Sequence, residues 1–95
     1  MIKSFGDKET EKVFYQMFSK KIPITIQKTA LRKLIMINNS NSLEDLKSPP
    51  SNRLEKLSRD REGQWSIRIN DQWRICFVPI NDGKDYIKVE IVDYH

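Results

Sequence analysis

The sequence predicts an α+β fold in which two N-terminal helices pack on a mainly antiparallel, twisted sheet. Three observations lead to this class. Apolar residues in the N-terminal half recur every three to four positions, as on one face of a helix. From residue 53 onward apolar and polar residues alternate, which is typical of half-buried strands. The tripeptide Asn81-Asp82-Gly83 is a strong hairpin signal. The 95 residues are enough for a single domain, predicted over 1–95.

The N-terminal half is predicted to contain a short strand followed by two helices. Residues 2–5 alternate apolar and polar and predict the opening strand. Asp7 can cap the first helix, and Pro23 breaks the chain before the second. The apolar face of the first helix consists of Val13, Phe14, Met17 and Phe18, and that of the second of Ile26, Ala30, Leu31, Leu34, Ile35 and Ile37. We expect both faces to form core, and residues 42–45 to start one further helical turn.

The C-terminal half is predicted to contain three strands joined by tight turns. Asn70-Asp71 separates the first two strands, and residues 81–83 separate the second from the third. The inward-facing positions are expected to be Trp65, Ile67 and Ile69, then Trp73, Ile75 and Phe77, and finally Ile87, Val89 and Ile91.

Several classes of protein are disfavoured by composition. The longest uninterrupted apolar runs are four residues, far below the roughly 18 that a membrane span requires. The first residues run directly into charged positions and lack the apolar stretch of a signal peptide. One cysteine and one histidine can form neither an intrachain disulfide nor a Cys/His zinc site. We therefore expect a cytoplasmic domain with no cofactor and no metal site.

The basic residues are distributed unevenly. The chain has 17 Lys and Arg against 13 Asp and Glu, and five of its six arginines lie between positions 53 and 74. Successive side chains of a strand point to opposite faces, so Arg74 faces outward if Trp73 and Ile75 face the helices. By the same alternation, Arg68 faces outward if Ile67 and Ile69 face the helices. We expect an open, concave outer sheet face that carries arginines, and this is a plausible platform for RNA. The alternative is scattered salt bridges with Glu55, Asp60, Glu62 and Asp71.

Few residues offer catalytic chemistry. The three glycines are isolated, so no phosphate-binding glycine loop is present, and Cys76 lies in mid-strand, where inert packing is expected. The chain ends in Asp93-Tyr94-His95 directly after an apolar strand. With a nearby arginine, these groups could cleave RNA without a metal, through a base, an acid and a charge-stabilising cation. The alternative for the last residues is a frayed chain end.

Four runs in order resemble the HigB-type toxins of the RelE/ParE toxin–antitoxin superfamily. They are Met1-Ile2-Lys3-Ser4-Phe5, Arg61-Glu62-Gly63-Gln64-Trp65-Ser66-Ile67, Asn70-Asp71-Gln72-Trp73-Arg74 and Asp93-Tyr94-His95. The resemblance extends over the whole chain. It implies an mRNA interferase that cuts messages in the A site of the 70S ribosome. It also implies a HigA-type helix-turn-helix antitoxin as partner, through which alone the pair would bind operator DNA.

The resemblance also implies roles for individual residues. The catalytic arginine corresponds to Arg74, and the terminal acid, tyrosine and histidine to Asp93, Tyr94 and His95. Where the family often has a histidine and a lysine, this chain has Glu55 and Ser58. The candidate base is thus His95 or Glu55, and Arg59 is the first candidate for the missing cation.

Contacts to RNA or the ribosome are expected from a further set of basic side chains. This set consists of Arg53, Lys56, Arg59, Arg61 and Arg68. Two other functions remain open at this point. One is a ParE-like toxin that inhibits DNA gyrase without catalysis, and the other is a small RNA-binding module that leaves RNA intact.

Overall fold

Two helices form one layer of the protein, for which the computed structural model describes residues 1–93. Helix α1 comprises Lys8–Phe14 and helix α2 comprises Ile24–Asn39. Helix α1 begins where Asp7 Oδ1 accepts a hydrogen bond from the backbone N–H of Thr10 at 2.7 Å. Helix α2 begins directly after Pro23, as the sequence predicts. None of the helices over residues 1–93 is long and apolar enough to cross a membrane.

Helix α1 is shorter than predicted. Gln16 adopts a left-handed conformation (φ 61°), and its N–H donates to Val13 O at 3.0 Å. The N–H of Met17 donates to Lys12 O at 2.7 Å, which completes a Schellman motif and ends the helix. The expectation that Met17 and Phe18 belong to the core is therefore wrong, because both follow the helix end and are exposed.

The second layer is a four-stranded antiparallel sheet with the order β1-β2-β3-β4. Its strands are β1 (Glu55–Lys56), β2 (Trp65–Arg68), β3 (Trp73–Ile80) and β4 (Asp85–Asp93). The predicted opening strand is reduced to two isolated parallel bridges with β4, Ile2 to Tyr86 and Phe5 to Val89. Residues 43–47 form the expected further turn, as a 3-10 helix.

Strand β4 contains a bulge that changes which side chains face the core. Lys88 has a positive φ of 54°, and the register with β3 shifts between Cys76 and Val78. As a result Tyr86 and Val89 are both fully buried, whereas Ile87 is only half-buried. The strict alternation predicted for this strand is thus wrong at Ile87.

The hydrophobic core lies between the helices and one face of the sheet. Most inward positions predicted for α2 and β3 are confirmed, since Ala30, Leu34, Ile37, Ile75 and Phe77 have no exposed surface. The prediction is wrong at Ile35, which is 44% exposed on the outer side of α2. Trp73 and Trp65 pack against the edge of this core. The residues that alternate with them on β2 and β3 therefore lie on the outer face of the sheet.

Candidate active site

Arg74 is the best-anchored cation on the outer face. Its Nε donates a hydrogen bond to Ser66 Oγ at 2.8 Å, across the β2–β3 pair. Its Nη2 donates to the backbone carbonyl of Arg53 at 2.6 Å and lies 3.9 Å from Glu55 Oε2. Only 11% of the side chain is exposed. Contacts from three directions therefore hold the guanidinium group in place before any ligand binds.

A small cavity of about 210 Å³ opens beside Arg74. It is lined by Arg53, Arg68, Asn70, Asp71 and Arg74. Arg68 lies directly opposite Arg74 in the β2–β3 register, and like charges in that position destabilise a strand pair. Asp71 forms an ion pair with Arg68. Because Asp71 is 97% exposed, it offsets the repulsion between the two arginines only from the solvent side. Three arginines and one aspartate therefore line this space, and arginine is the residue type best suited to bind phosphate oxygens.

The middle of the outer face is covered, in contrast to the open face expected from the sequence. Ser66 and Cys76 alternate with core residues but have no exposed surface. Arg74 crosses over Ser66, and Arg61 reaches Glu90, which is paired with Cys76 in the sheet. Long arginine side chains can cover a sheet face without any helix above it. The arginine side chains therefore shield the centre of this face, at Ser66 and Cys76, from solvent.

Cys76 has the properties of a packing residue. Burial raises the pKa of its thiol above the ordinary value of 9.0. The thiolate is the reactive form of cysteine, so the thiol is held in its unreactive state. The prediction that Cys76 is inert packing agrees with its position.

Cys76 should make the stability of the protein fall at alkaline pH. The folded state favours the neutral thiol over the thiolate. The contribution of the Cys76 thiol to the free energy of unfolding is therefore complete below pH 9.0, and it is lost as the pH rises through the raised pKa. We expect the stability of wild type relative to Cys76→Ala to decline above pH 9, by about 1.4 kcal/mol for each unit of pKa elevation. Urea unfolding of both proteins between pH 8 and 10.5 measures this difference. The pKa of Tyr86 is also raised by burial, but its effect is common to both proteins. A constant difference across this range would contradict the prediction.

The predicted site residues on and before β1 are distributed over both faces. Glu55 pairs with Ser66 and lies beside Arg74, on the outer face. Lys56 pairs with Trp65, which packs against the core, so its side chain belongs to the opposite face and not to the cavity. Arg53 accepts a hydrogen bond from Arg74 through its backbone carbonyl and is one of the residues that line the cavity.

The remaining predicted basic residues lie away from the cavity. Arg59 is exposed in a 3-10 turn and does not line it. Arg61 donates to Glu90 Oε1 at 2.8 Å and to Gln64 Oε1 at 3.0 Å, so it fastens this turn to β4. Arg68 is therefore the one member of the predicted RNA-binding set, besides Arg53, that the structure brings to Arg74.

The terminal residues are only partly described by the structure. Asp93 pairs with Trp73 and accepts a hydrogen bond from Gln72 Nε2 at 3.2 Å. By strand alternation its side chain shares the helix-side face with Ile91, whereas Arg74 is paired with Val92 on the outer face. The side chains of Asp93 and Arg74 therefore lie on opposite faces of the sheet. Tyr94 and His95 lie outside the described residues.

Three residues of the site, Ser66, Asn70 and Asp71, were not predicted as site residues from the sequence. Ser66 holds Arg74, and its outward position in the alternation of β2 was a signal for it. Asn70 lines the cavity and shapes the turn, because its Oδ1 accepts from the N–H groups of Gln72 and Trp73, both at 2.8 Å. An Asn that begins a turn is a recognised local pattern, but its position beside two arginines depends on the strand register.

Comparison with solved structures shows the same fold in bacterial toxins. The YoeB–YefM complex from Staphylococcus aureus matches with a TM-score of 0.57 and 19% identity, over 100% of this chain and 95% of that chain. The YoeB/ParE toxin from Agrobacterium tumefaciens matches with a TM-score of 0.51 and 18% identity, over 99% and 96% of the two chains. The RelE/ParE-like α+β fold expected from the sequence is thereby confirmed.

Several proteins are related to the chain in sequence. It is 44% identical to an uncharacterized protein of Haemophilus influenzae over 57 residues, 60% of this chain and 56% of that protein. It is 39% identical to Toxin HigB-1 of Vibrio cholerae over 56 residues, 59% of each protein. These two matches span less than two thirds of their relatives. A third relative, Endoribonuclease HigB of Proteus vulgaris, is 34% identical over 95 residues, the full length of both proteins.

The sequence of the chain also matches a protein family, in agreement with its relatives and its fold. Residues 3–95 match the family described as the RelE-like toxin HigB of type II toxin–antitoxin systems. That match includes the strands and the turn that build the arginine-lined cavity. The chain therefore belongs to the HigB-like toxin family.

Proposed function

We propose that the chain is an endoribonuclease toxin that cleaves mRNA on the ribosome and so inhibits translation. The observation that carries the proposal is the immobilised Arg74, which lines a cavity together with Arg53 and Arg68. Its full-length relative from Proteus vulgaris is named an endoribonuclease, which supports the same activity here.

Cleavage would proceed by attack of a ribose 2′-hydroxyl on the adjacent phosphorus. A base removes the hydroxyl proton, the P–O5′ bond breaks, and an acid protonates the departing 5′ oxygen. The products are a 2′,3′-cyclic phosphate and a free 5′-hydroxyl. Arg74 would stabilise the negative charge that develops on the pentacoordinate phosphorus, and a preorganised donor of this kind contributes about 3 kcal/mol. The scheme uses no metal ion.

The proton-transfer groups follow from what stands near Arg74. Glu55 lies with its carboxylate 3.9 Å from Arg74 Nη2 and is more than half exposed, so substrate can reach it. It is our candidate base within the described residues. His95 and Tyr94 stay candidates for proton transfer and for orienting the substrate. Asp93 faces the other side of the sheet and is a weaker candidate for direct contact.

We propose a HigA-type antitoxin as the partner, docked on the helical layer. Tyr15, Met17 and Phe18 are each more than half exposed and form an apolar surface beside two shallow hollows. Lys8, Lys12 and Lys28 line these hollows together with Glu11, so an amphipathic segment of the antitoxin with an excess of acidic residues would complement them. The cavity at Arg74 lies on the opposite face of the sheet. Antitoxin docking on the helices would thus contact a surface distinct from the cavity.

The activity is tested by mapping message ends after induction of the chain in growing bacteria. We expect new 5′ ends within codons of translated messages within minutes, and their loss when initiation of translation is blocked. Primer extension or transcriptome-wide end sequencing measures both. Intact messages together with double-strand DNA breaks would instead identify a gyrase inhibitor. Intact messages with salt-sensitive RNA binding would identify a non-catalytic module. Either result would overturn the proposal.

A further inference from the structure

Lys33 is a buried cation in the middle of α2. Its side chain is 6% exposed, and its Nζ donates a hydrogen bond to Asn52 Oδ1. Lysine is rarely buried without an acidic partner, and among the described residues Lys33 makes no ion pair. Burial accordingly lowers the pKa of Lys33 from its ordinary value of 10.5. A group that is costly to bury calls for an explanation beyond packing.

Asn52 connects Lys33 to the segment that precedes β1. It is fully buried, and its Nδ2 donates to the backbone carbonyls of Leu46 at 3.1 Å and Ser48 at 3.3 Å. Its own N–H donates to Pro49 O at 2.9 Å. Both ends of the amide side chain are therefore engaged, and this residue cannot shift without breaking several hydrogen bonds.

The next residue along the chain carries the contact to the site. Arg53 has a left-handed backbone conformation (φ 45°), which is unfavourable for a residue with a side chain. In this conformation its carbonyl oxygen accepts from Arg74 Nη2 at 2.6 Å. The conformation persists only if the neighbouring structure holds it, and Asn52 is the buried anchor immediately before it.

We propose that Lys33 and Asn52 are positioning residues, which hold the carbonyl of Arg53 and through it the guanidinium of Arg74. The role in catalysis rests on the function proposed above, whereas the structural link does not. A displacement of about 1 Å at a catalytic group can lower a rate about 100-fold. A lysine that served only to fill space would be replaceable by an apolar side chain of similar length, without effect on the distant site.

The test uses Lys33→Met in the full chain, with Arg32→Met as the matched control, because Arg32 is exposed on the same helix. The first readout is the Nε–H signal of Arg74 in 15N-labelled protein, assigned by its loss in Arg74→Lys. We expect Lys33→Met to shift this signal and speed its solvent exchange at least tenfold, while the backbone amide spectrum outside residues 44–56 is retained. Arg32→Met should leave the Nε–H signal unchanged.

The second readout is single-turnover cleavage of message on ribosomes. We expect Lys33→Met to lower the maximal rate 10- to 100-fold, with a change of less than twofold in the ribosome concentration that gives half of that rate. If wild type cleaves nothing, the proposed function fails, but the Arg74 signal still tests the positioning role. A folded Lys33→Met protein with an unchanged Arg74 signal would overturn it.

A second variant covers the case in which Lys33→Met does not fold. Asn52→Asp keeps the acceptor for Lys33 and the side-chain volume but removes the Nδ2 donors to Leu46 and Ser48. It should also shift the Arg74 signal and slow cleavage. If neither variant folds, the pair serves the whole fold, and the specific positioning role is overturned.

Discussion

Replacing Arg74 by alanine should lower the rate of message cleavage by about 100- to 1,000-fold, the usual effect of removing one preorganised charge-stabilising donor. In cells this change should relieve growth arrest. Lysine should not restore the rate. A single ammonium cannot donate to Ser66 Oγ and to the Arg53 carbonyl while it also contacts a phosphate in the bidentate manner of a guanidinium. Single-turnover assays on ribosomes loaded with a defined message measure both variants.

A matched control is provided by Arg32, an exposed arginine outside the cavity. Arg32→Ala should keep its cleavage rate within a few-fold of wild type. Arg74→Ala should also still co-purify with the antitoxin, because the helical surface proposed for docking is on the other side of the sheet. An Arg74→Ala protein that cleaves messages at the wild-type rate would contradict the assignment of the site.

Replacing Phe77 by alanine should destabilise the fold by about 3–5 kcal/mol. Phe77 has no exposed surface, and its ring packs edge-on against Tyr86 with centroids 5.2 Å apart. Domains of this size have a total stability of about 5–15 kcal/mol, so the change would remove a large share of it. Urea unfolding followed by circular dichroism gives the free energy.

Phe18 offers a control of the same residue type. It is 65% exposed, so Phe18→Ala should change the free energy of unfolding by less than about 0.5 kcal/mol. This comparison separates the cost of the core cavity from any effect of shortening a phenylalanine. A loss below 1 kcal/mol for Phe77→Ala would show that the core is not centred on this residue.

The sequence was sufficient for the parts of the fold that depend on local patterns. The second helix begins after Pro23, and the alternation in β3 correctly assigned Ile75 and Phe77 to the core. That same parity correctly placed Arg68 and Arg74 on the outer face. Hydrophobic periodicity is a strong signal where one face of an element is buried along its length.

Prediction from the sequence failed at two positions where the backbone turns to a positive φ at a residue other than glycine or asparagine. Helix α1 ends at a Schellman motif whose left-handed residue is Gln16 instead of the usual glycine. The bulge in β4 likewise has its positive φ at Lys88. Because both positions are occupied by ordinary side chains, the sequence indicated a longer helix and an unbroken alternation.

The sequence by itself determined the class of fold, most core positions of α2 and β3, and the outward orientation of Arg68 and Arg74. Tertiary structure alone decided which groups meet Arg74. The contacts to Ser66 and the Arg53 carbonyl depend on strand register and on a left-handed residue, and the burial of Lys33 against Asn52 joins positions 19 apart in the chain. Periodicity reports which face a side chain occupies, whereas a site requires distances between chain segments, and these are set only when the segments pack together.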